Sequence, residues 1–279
     1  MGIRTDLATE LRELNPDIRG IKSCEYSGNG YKATVTQILN DSAAKAIGRP
    51  QGKYVTIEAE IPFDAGISDG ICDVISHQLS LMLPDGDILV AGLGNINVTP
   101  DAIGPRTASK ILVTRHVMDF MTKRLKIEGL RCVAAVSPGV LGQTGIEALE
   151  TISAAVERVK PKAVIVVDAL AARRLERLGK TVQLCDTGIL PGSGVGNKRA
   201  EISRKTLGVK VLSIGIPTVA DAATVISDAK GDASSVQPGM IVTTPAIDNM
   251  IMRAGTGLAR AINLALQPNV DKTILESLF

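Results

Sequence analysis

The sequence predicts an α/β fold: a doubly wound, mostly parallel sheet with helices on both faces and an N-terminal antiparallel hairpin extension. Three observations carry that expectation. The aliphatic runs DILVAGL, AVIVVDAL and VKVLSIGIP are nearly continuous, as strands buried on both faces require. From residue 69 onward, helical and strand patterns alternate, which is the signature of βαβ units. The chain has no Trp, 3 Phe and 3 Tyr, so its core must be built from Val, Ile, Leu and Ala.

Taken in order, residues 1 to about 20 predict a short amphipathic helix with Leu7, Leu11 and Leu14 on one face. Alternating segments over 30–39 and 53–61 predict an antiparallel pair. GICDVISHQLSLML predicts a helix over 70–83 and DILVAGL a strand over 87–93. DAIGPRTASKILVTRHVMDFMTKRL predicts one long helix over 101–125, followed by a strand in LRCVAAVS. A helix in TGIEALETISAAVERV leads to strands in AVIVVDAL and VKVLSIGIP. PTVADAATVISDA and NMIMRAGTGLARAINLAL predict the closing helices. No repeat or linker divides the chain, so 1–279 is expected to be one domain, with a hairpin extension over 20–65 and a core over 66–279. Residues 66–70 are the most plausible seam.

Composition excludes several classes. A net charge of +2 with interspersed signs carries no polyanion-binding signature. Cys24, Cys72, Cys132 and Cys185 are widely spread, without a CxxC pair or Cys-His cluster, so buried free thiols are expected rather than disulfides or a metal site. The N-terminus lacks an apolar signal region and no run reaches spanning length. A cytosolic protein without membrane partner, metal or cofactor is the expectation.

Two acids stand where such a fold binds ligands, at the carboxyl ends of strands: Asp101 in GLGNINVTPDAIGP and Asp168 in AVIVVDALAAR. Taken alone, Asp101 is an ordinary helix-start carboxylate. Asp168 follows five apolar residues, and a carboxylate so placed is desolvated and its pKa raised. Together they offer the unequal acid pair of general acid–base chemistry. Glycine-rich turns at 92–95, 138–145, 187–197 and 215–218 fall on the same sheet edge. They predict a wide, backbone-lined cleft suited to a peptide. Any one of them alone is no more than a tight βα connection. GSGVGN does not match G-x-G-x-x-G and no G-x-x-x-x-G-K-[ST] occurs, so a nucleotide role is weakly supported. G-x-S-x-G is absent too; His77 and His116 are read as structural, with His116 a reserve candidate. NKRAEISRK is most simply a solvated segment, though Lys198, Arg199 and Arg204 beside the glycine loop are also suited to hold acidic substrate groups.

In order along the chain, RTDLATE, GLGNINVTPDAIGP, SPGVLGQTGIE, VVDALAARRLERLGKTVQL, DTGILPGSGVGNKRAEISRKTLGVKV and IGIPTVADA closely resemble the germination protease of endospore-forming bacteria. The resemblance covers most of the chain. It implies an atypical aspartic endopeptidase, related in fold to the hydrogenase maturation proteases, that degrades small acid-soluble spore proteins in the spore core during germination. The family's catalytic aspartates fall by motif on Asp101 and Asp168. Gly94, Asn95, Gln143, Thr144, Lys198 and Arg199 are the candidate substrate-binding residues. Family members assemble as homo-oligomers, tetramers among them, without direct nucleic-acid partners.

The family cuts within Thr-Glu-(Ile/Phe)-Ala-Ser-Glu after the first Glu, and is made as a zymogen that cleaves itself. Thr5-Asp6-Leu7-Ala8-Thr9-Glu10 has the same layout, which implies self-cleavage between Asp6 and Leu7 and a propeptide of only residues 1–6. The ordinary alternative is a helix start with Thr5 as N-cap. The rival functions are a maturation protease for a metalloenzyme precursor and a non-catalytic peptide- or nucleotide-binding module.

Overall fold

A computed structural model describes residues 4–118, 129–196, 199–229, 231, 236–237 and 239–276. Its strands are β1 (Ile21–Gly28), β2 (Tyr31–Ile38), β3 (Gly52–Ala59), β4 (Ile88–Gly92), β5 (Val133–Val136), β6 (Ala163–Ala172), β7 (Thr181–Cys185), β8 (Lys210–Asp221) and β9 (Ile241–Val242). The helices are α1 (Ala8–Leu14), α2 (Asp41–Ile47), α3 (Asp69–Ser80), α4 (Ile103–Ala108), α5 (Leu141–Thr144), α6 (Ala148–Val159), α7 (Arg204–Leu207), α8 (Ala222–Asp228), α9 (Ile247–Leu266) and α10 (Lys272–Glu276).

All these strands join one sheet in the order β1-β2-β3-β7-β8-β6-β4-β5, with β9 on β8. The run β8-β6-β4-β5 is parallel, while β7, β3, β2 and β1 continue it antiparallel. The 20–65 segment is therefore continuous with the core sheet through β3 and β7. Strand periodicity decides which side chain meets which layer. Ile165 and Val167 of β6 face α3 and α9 in the larger core, and Val164 and Val166 face Ile152 and Val156 of α6. Each such fully buried aliphatic side chain contributes about 1.5–3 kcal/mol. The doubly wound α/β architecture is thus present, with helices on both faces.

Several expectations change. The strand β1 was not foreseen; it pairs with β2 across the two-residue turn Asn29-Gly30, with Gly30 at φ +77. Its outer position leaves every residue but Ile21 and Tyr26 exposed, and Cys24 on it is an exposed thiol, contrary to the expected burial. Cys72 and Cys185 are buried and Cys132 half-buried. The strand β7 was also missed. The single helix expected over 101–125 is interrupted after Ala108, and residues 119–125 lie outside the described residues. Its backbone is captured by other elements: Leu112 N–H donates to Asn263 Oδ1, and Thr114 N–H to the Val133 carbonyl. Residues 217–221 extend β8 rather than opening a helix, because Asp221 caps α8 by accepting from Thr224 N–H. The first helix spans only Ala8–Leu14, with the extended Leu7, not Thr5, at its N-cap.

Among the described residues, no helix is long and apolar enough to cross a membrane.

Candidate active site

The chain leaves β4 toward β5 on one side, while β6 and β8 lie on the other. That reversal opens a crevice at the strand carboxyl ends. The last residue of β4, Gly92, pairs with Val167, and β6 runs on past it. Asp168 is the first residue of β6 with no β4 neighbour, so the site lies in mid-strand rather than at the strand end the sequence suggested. The space beside it is filled by the turn Thr99–Asp101.

That turn is fixed from within. Asp101 Oδ2 accepts from Asn95 N–H at 2.7 Å, and Asp101 N–H donates to the Val98 carbonyl at 2.8 Å. Gly94 stands at φ +112 against the Asp101 carbonyl, where any Cβ would collide. Gln143 Nε2 donates to Asn95 Oδ1 at 2.7 Å, bracing the turn from α5. Thr144 closes its own loop through the Val140 and Ile146 carbonyls.

Asp101 and Asp168 line one cleft of about 320 Å³, room for several side chains. Gly94, Val140, Arg199 and Thr218 also line it. Burial pushes the Asp101 carboxyl up, against the pull of the Asn95 N–H and the Arg199 charge. Asp168, 5 % exposed, is raised well above the ordinary carboxylate range. Burial is the main cause, then the charges of Asp101 and Asp6, with Ala169 N–H opposing. The two acids are thus made unequal by position: one is deeply buried beside two carboxylates, the other is braced by an N–H and a guanidinium.

The same cleft contains Asp6. The N-terminal segment enters it extended, and Asp6 N–H donates to the Ala171 carbonyl at 2.9 Å. The Asp6 carboxylate accepts from Ala171 N–H (2.9 Å), Ser193 Oγ (2.7 Å) and Arg49 Nη2 (3.1 Å). Gly194 permits this approach, since a Cβ there would strike Asp6 Oδ2. Downstream, Leu7 is fully buried among Leu170, Ala172, Leu178 and Ala220. Thr9 Oγ1 meets Thr56 Oγ1 at 2.8 Å. Glu10, 0 % exposed, accepts from Arg173 and Arg174 N–H, Thr5 Oγ1 and Arg177. Gln183 Nε2 donates to the Asp6 carbonyl at 3.0 Å, and its Oε1 accepts from Ala8 N–H at 2.7 Å.

Of the residues foreseen, Asp101, Asp168, Gly94 and Arg199 share the cleft, Asn95 supports Asp101, and Asp6 and Leu7 lie in or beside it. Gln143 and Thr144 are exposed and serve the supporting turns; Lys198 lies outside the described residues. Arg204 stands on α7. The stretch around 199–205 is not simply solvated, for Ile202 is fully buried and pairs with Ile189. His116 stands near the amino end of β5, at the opposite sheet edge from the cleft, since Thr114 pairs there with Val133. Arg49, Gln183, Ser193 and Thr218 were missed. Thr218 sits at the irregularity between β6 and β8, its buried hydroxyl without a partner among the described residues. Among the described residues, no group of three or more His, Cys, Asp or Glu is placed to hold a metal ion.

The model of the germination protease family matches residues 3–231. The germination protease of Caldanaerobacter subterraneus subsp. tengcongensis is 40% identical over 320 residues, covering 100% of this chain and 98% of that one. That of Clostridium perfringens is 40% identical over 315 residues, covering 96% of each. A [NiFe] hydrogenase maturation protease from Thermococcus kodakarensis resembles the structure at a TM-score of 0.37 and 16% identity, over 66% of this chain and 98% of that one. With a family match of this extent, and full-length relatives at this identity, the chain belongs to the germination protease family of peptidases.

Proposed function

We propose that the protein is an aspartic endopeptidase that cuts small acid-soluble spore proteins in the spore core during germination, with Asp101 and Asp168 activating water. The observation that carries this reading is the unequal acid pair sharing one cleft with the chain's own acidic segment. Asp101, the more easily ionised, takes a proton from water. Asp168, kept protonated, donates to the carbonyl oxygen or the leaving amine. The pair titrates as a unit, so the assignment is one of dominant roles.

The chain is made as a zymogen and cuts itself between Asp6 and Leu7. In support, Asp6 already lies in the cleft and Leu7 follows it in extended form before α1 begins at Ala8, with backbone and side-chain contacts on both sides of that bond. Arg49 and Ser193 hold the acid before the cut, a role sequence reasoning had given to Lys198 and Arg199. The active form is a homo-oligomer.

The test is incubation with a purified small acid-soluble spore protein, read by intact mass, beside Asp101→Asn and Asp168→Asn variants. Each substitution is expected to lower turnover by at least about 10³-fold with folding intact. Near-normal turnover in either variant would remove the dyad.

A further inference from the structure

Asp168, Gly215 and Gln183 stand in register across three adjacent strands, β6, β8 and β7. Residues opposite one another in a sheet present their side chains on the same face, with strands about 4.8 Å apart. Gly215 has no side chain, and the space over it is taken by the Leu170 side chain, which a Cβ there would strike. The peptide Asp6–Leu7 is held by Gln183, and Asp6 lines the same cleft as Asp168. Both ends of the amide are engaged: Nε2 on the carbonyl of residue 6, Oε1 on the N–H of residue 8. Ala8 N–H requires an acceptor, which fixes the amide orientation and aims the donor at the carbonyl. Gln183 is 7 % exposed, so the bond it makes is shielded from water.

We propose that Gln183 is a catalytic residue, the side-chain donor that holds the oxygen of the cleaved carbonyl as it becomes an oxyanion. This rests on the peptidase reading and deepens it. The contact involves only backbone groups of the bound segment, so it applies to any peptide seated in the same way.

The backbone of the glycine turns is partly committed elsewhere, since Asn95 N–H is taken by Asp101. In the step itself, water loses one proton to Asp101 as its oxygen bonds to the carbonyl carbon. The carbonyl electron pair moves onto oxygen and is received by the Gln183 N–H. The pair then returns, the C–N bond breaks and Asp168 protonates the departing nitrogen. The new carboxylic acid and Asp101 return their protons to Asp168 and solvent. Gln183 takes over the stabilisation of the oxygen, so Asp168's proton goes to the amine.

The experiment uses the full chain and its Gln183→Glu, Gln183→Leu and Asp168→Asn variants. Loss of residues 1–6 and cleavage of a synthetic peptide matching residues 1–12 are tracked by mass. Gln183→Leu is expected to lower kcat by about 10²–10³-fold, with KM within about threefold, as loss of an oxyanion donor does. Gln183→Glu differs by one atom, keeps the acceptor for Ala8 N–H and regains a donor only when protonated. It guards against a folding defect, and its relative activity is expected to rise as pH falls. A folded Gln183→Leu variant with kcat within about threefold of the parent, or faster self-cleavage, would overturn the role while a dead Asp168→Asn leaves the peptidase reading standing. Full turnover in Asp168→Asn, or no cleavage by the parent at any pH between about 5 and about 8, would overturn the peptidase reading and this role together.

Discussion

Asp6 and Glu10 stand four residues apart on the same segment, and the protein holds them by different means. Glu10 is sealed at 0 % exposure, with two backbone N–H groups, a hydroxyl and a guanidinium around it. Its main cation, Arg177, also binds Glu13 and Glu58, so α1 is tied to β3 by one side chain. Asp6 is half-buried, meets Arg49, itself half-buried, and lies beside an acid that its charge disfavours. The predicted cut falls between these two anchors. Residues on its amino side are held by contacts that oppose one another, and those on its carboxyl side are part of the core. The proposed cut after Asp6 would leave the Glu10 anchor within the core.

That contrast can be broken by stability measurements. Glu10→Ala leaves Arg173 and Arg174 N–H buried without acceptors and strips Arg177 of one partner. It is expected to cost about 3–5 kcal/mol, seen as a large drop in the thermal midpoint. Asp6→Asn loses an ion pair yet relieves Asp168, and is expected to cost about 1 kcal/mol or less by the same measurement. Equal losses in the two variants would erase the distinction.

A finer test is the pH profile. The folded pKa of Asp168 is raised above its ordinary 3.8. Its neutral form therefore lends stability that is fully present below that ordinary value and is lost as pH rises through the folded pKa. Activity that needs the protonated acid falls over the same rise. Asp6→Asn removes one of the charges raising Asp168, so the alkaline limb of self-cleavage, measured on the uncut chain, is expected to move to lower pH, by less than about one unit. A limb that stays in place, or moves up, would separate Asp6 from the dyad.

Much of this was legible in the sequence, and for definite reasons. The aliphatic runs of β4, β6 and β8, short and bounded by turn residues, fit buried strands, and their alternation with helices places Asp101 and Asp168 at one crevice. The limits of those strands were less legible. Pro217 reads as a strand end, yet β8 continues past it because β9 and α8 take up the backbone beyond. The strand β1 is half polar on an outer position, and β7 is only five residues long, so neither gives a strong period. Arg49 sits in a turn where a cation is ordinarily solvated. Gln183 is an uncharged residue inside a missed strand, and no local pattern marks either. Both gain meaning only from residues 6 to 8, more than forty and more than 170 positions away.

That separation along the chain has a consequence for synthesis. Residues 5–10 leave the ribosome first, whereas Ala171, which grips Asp6, emerges 165 residues later. At about 5–20 residues per second, the segment waits roughly ten to thirty seconds for its site. When β6 and β7 are at last laid down, the occupant is already tethered nearby. The cleft is thus completed by residues made long after the segment of the same chain that lines it.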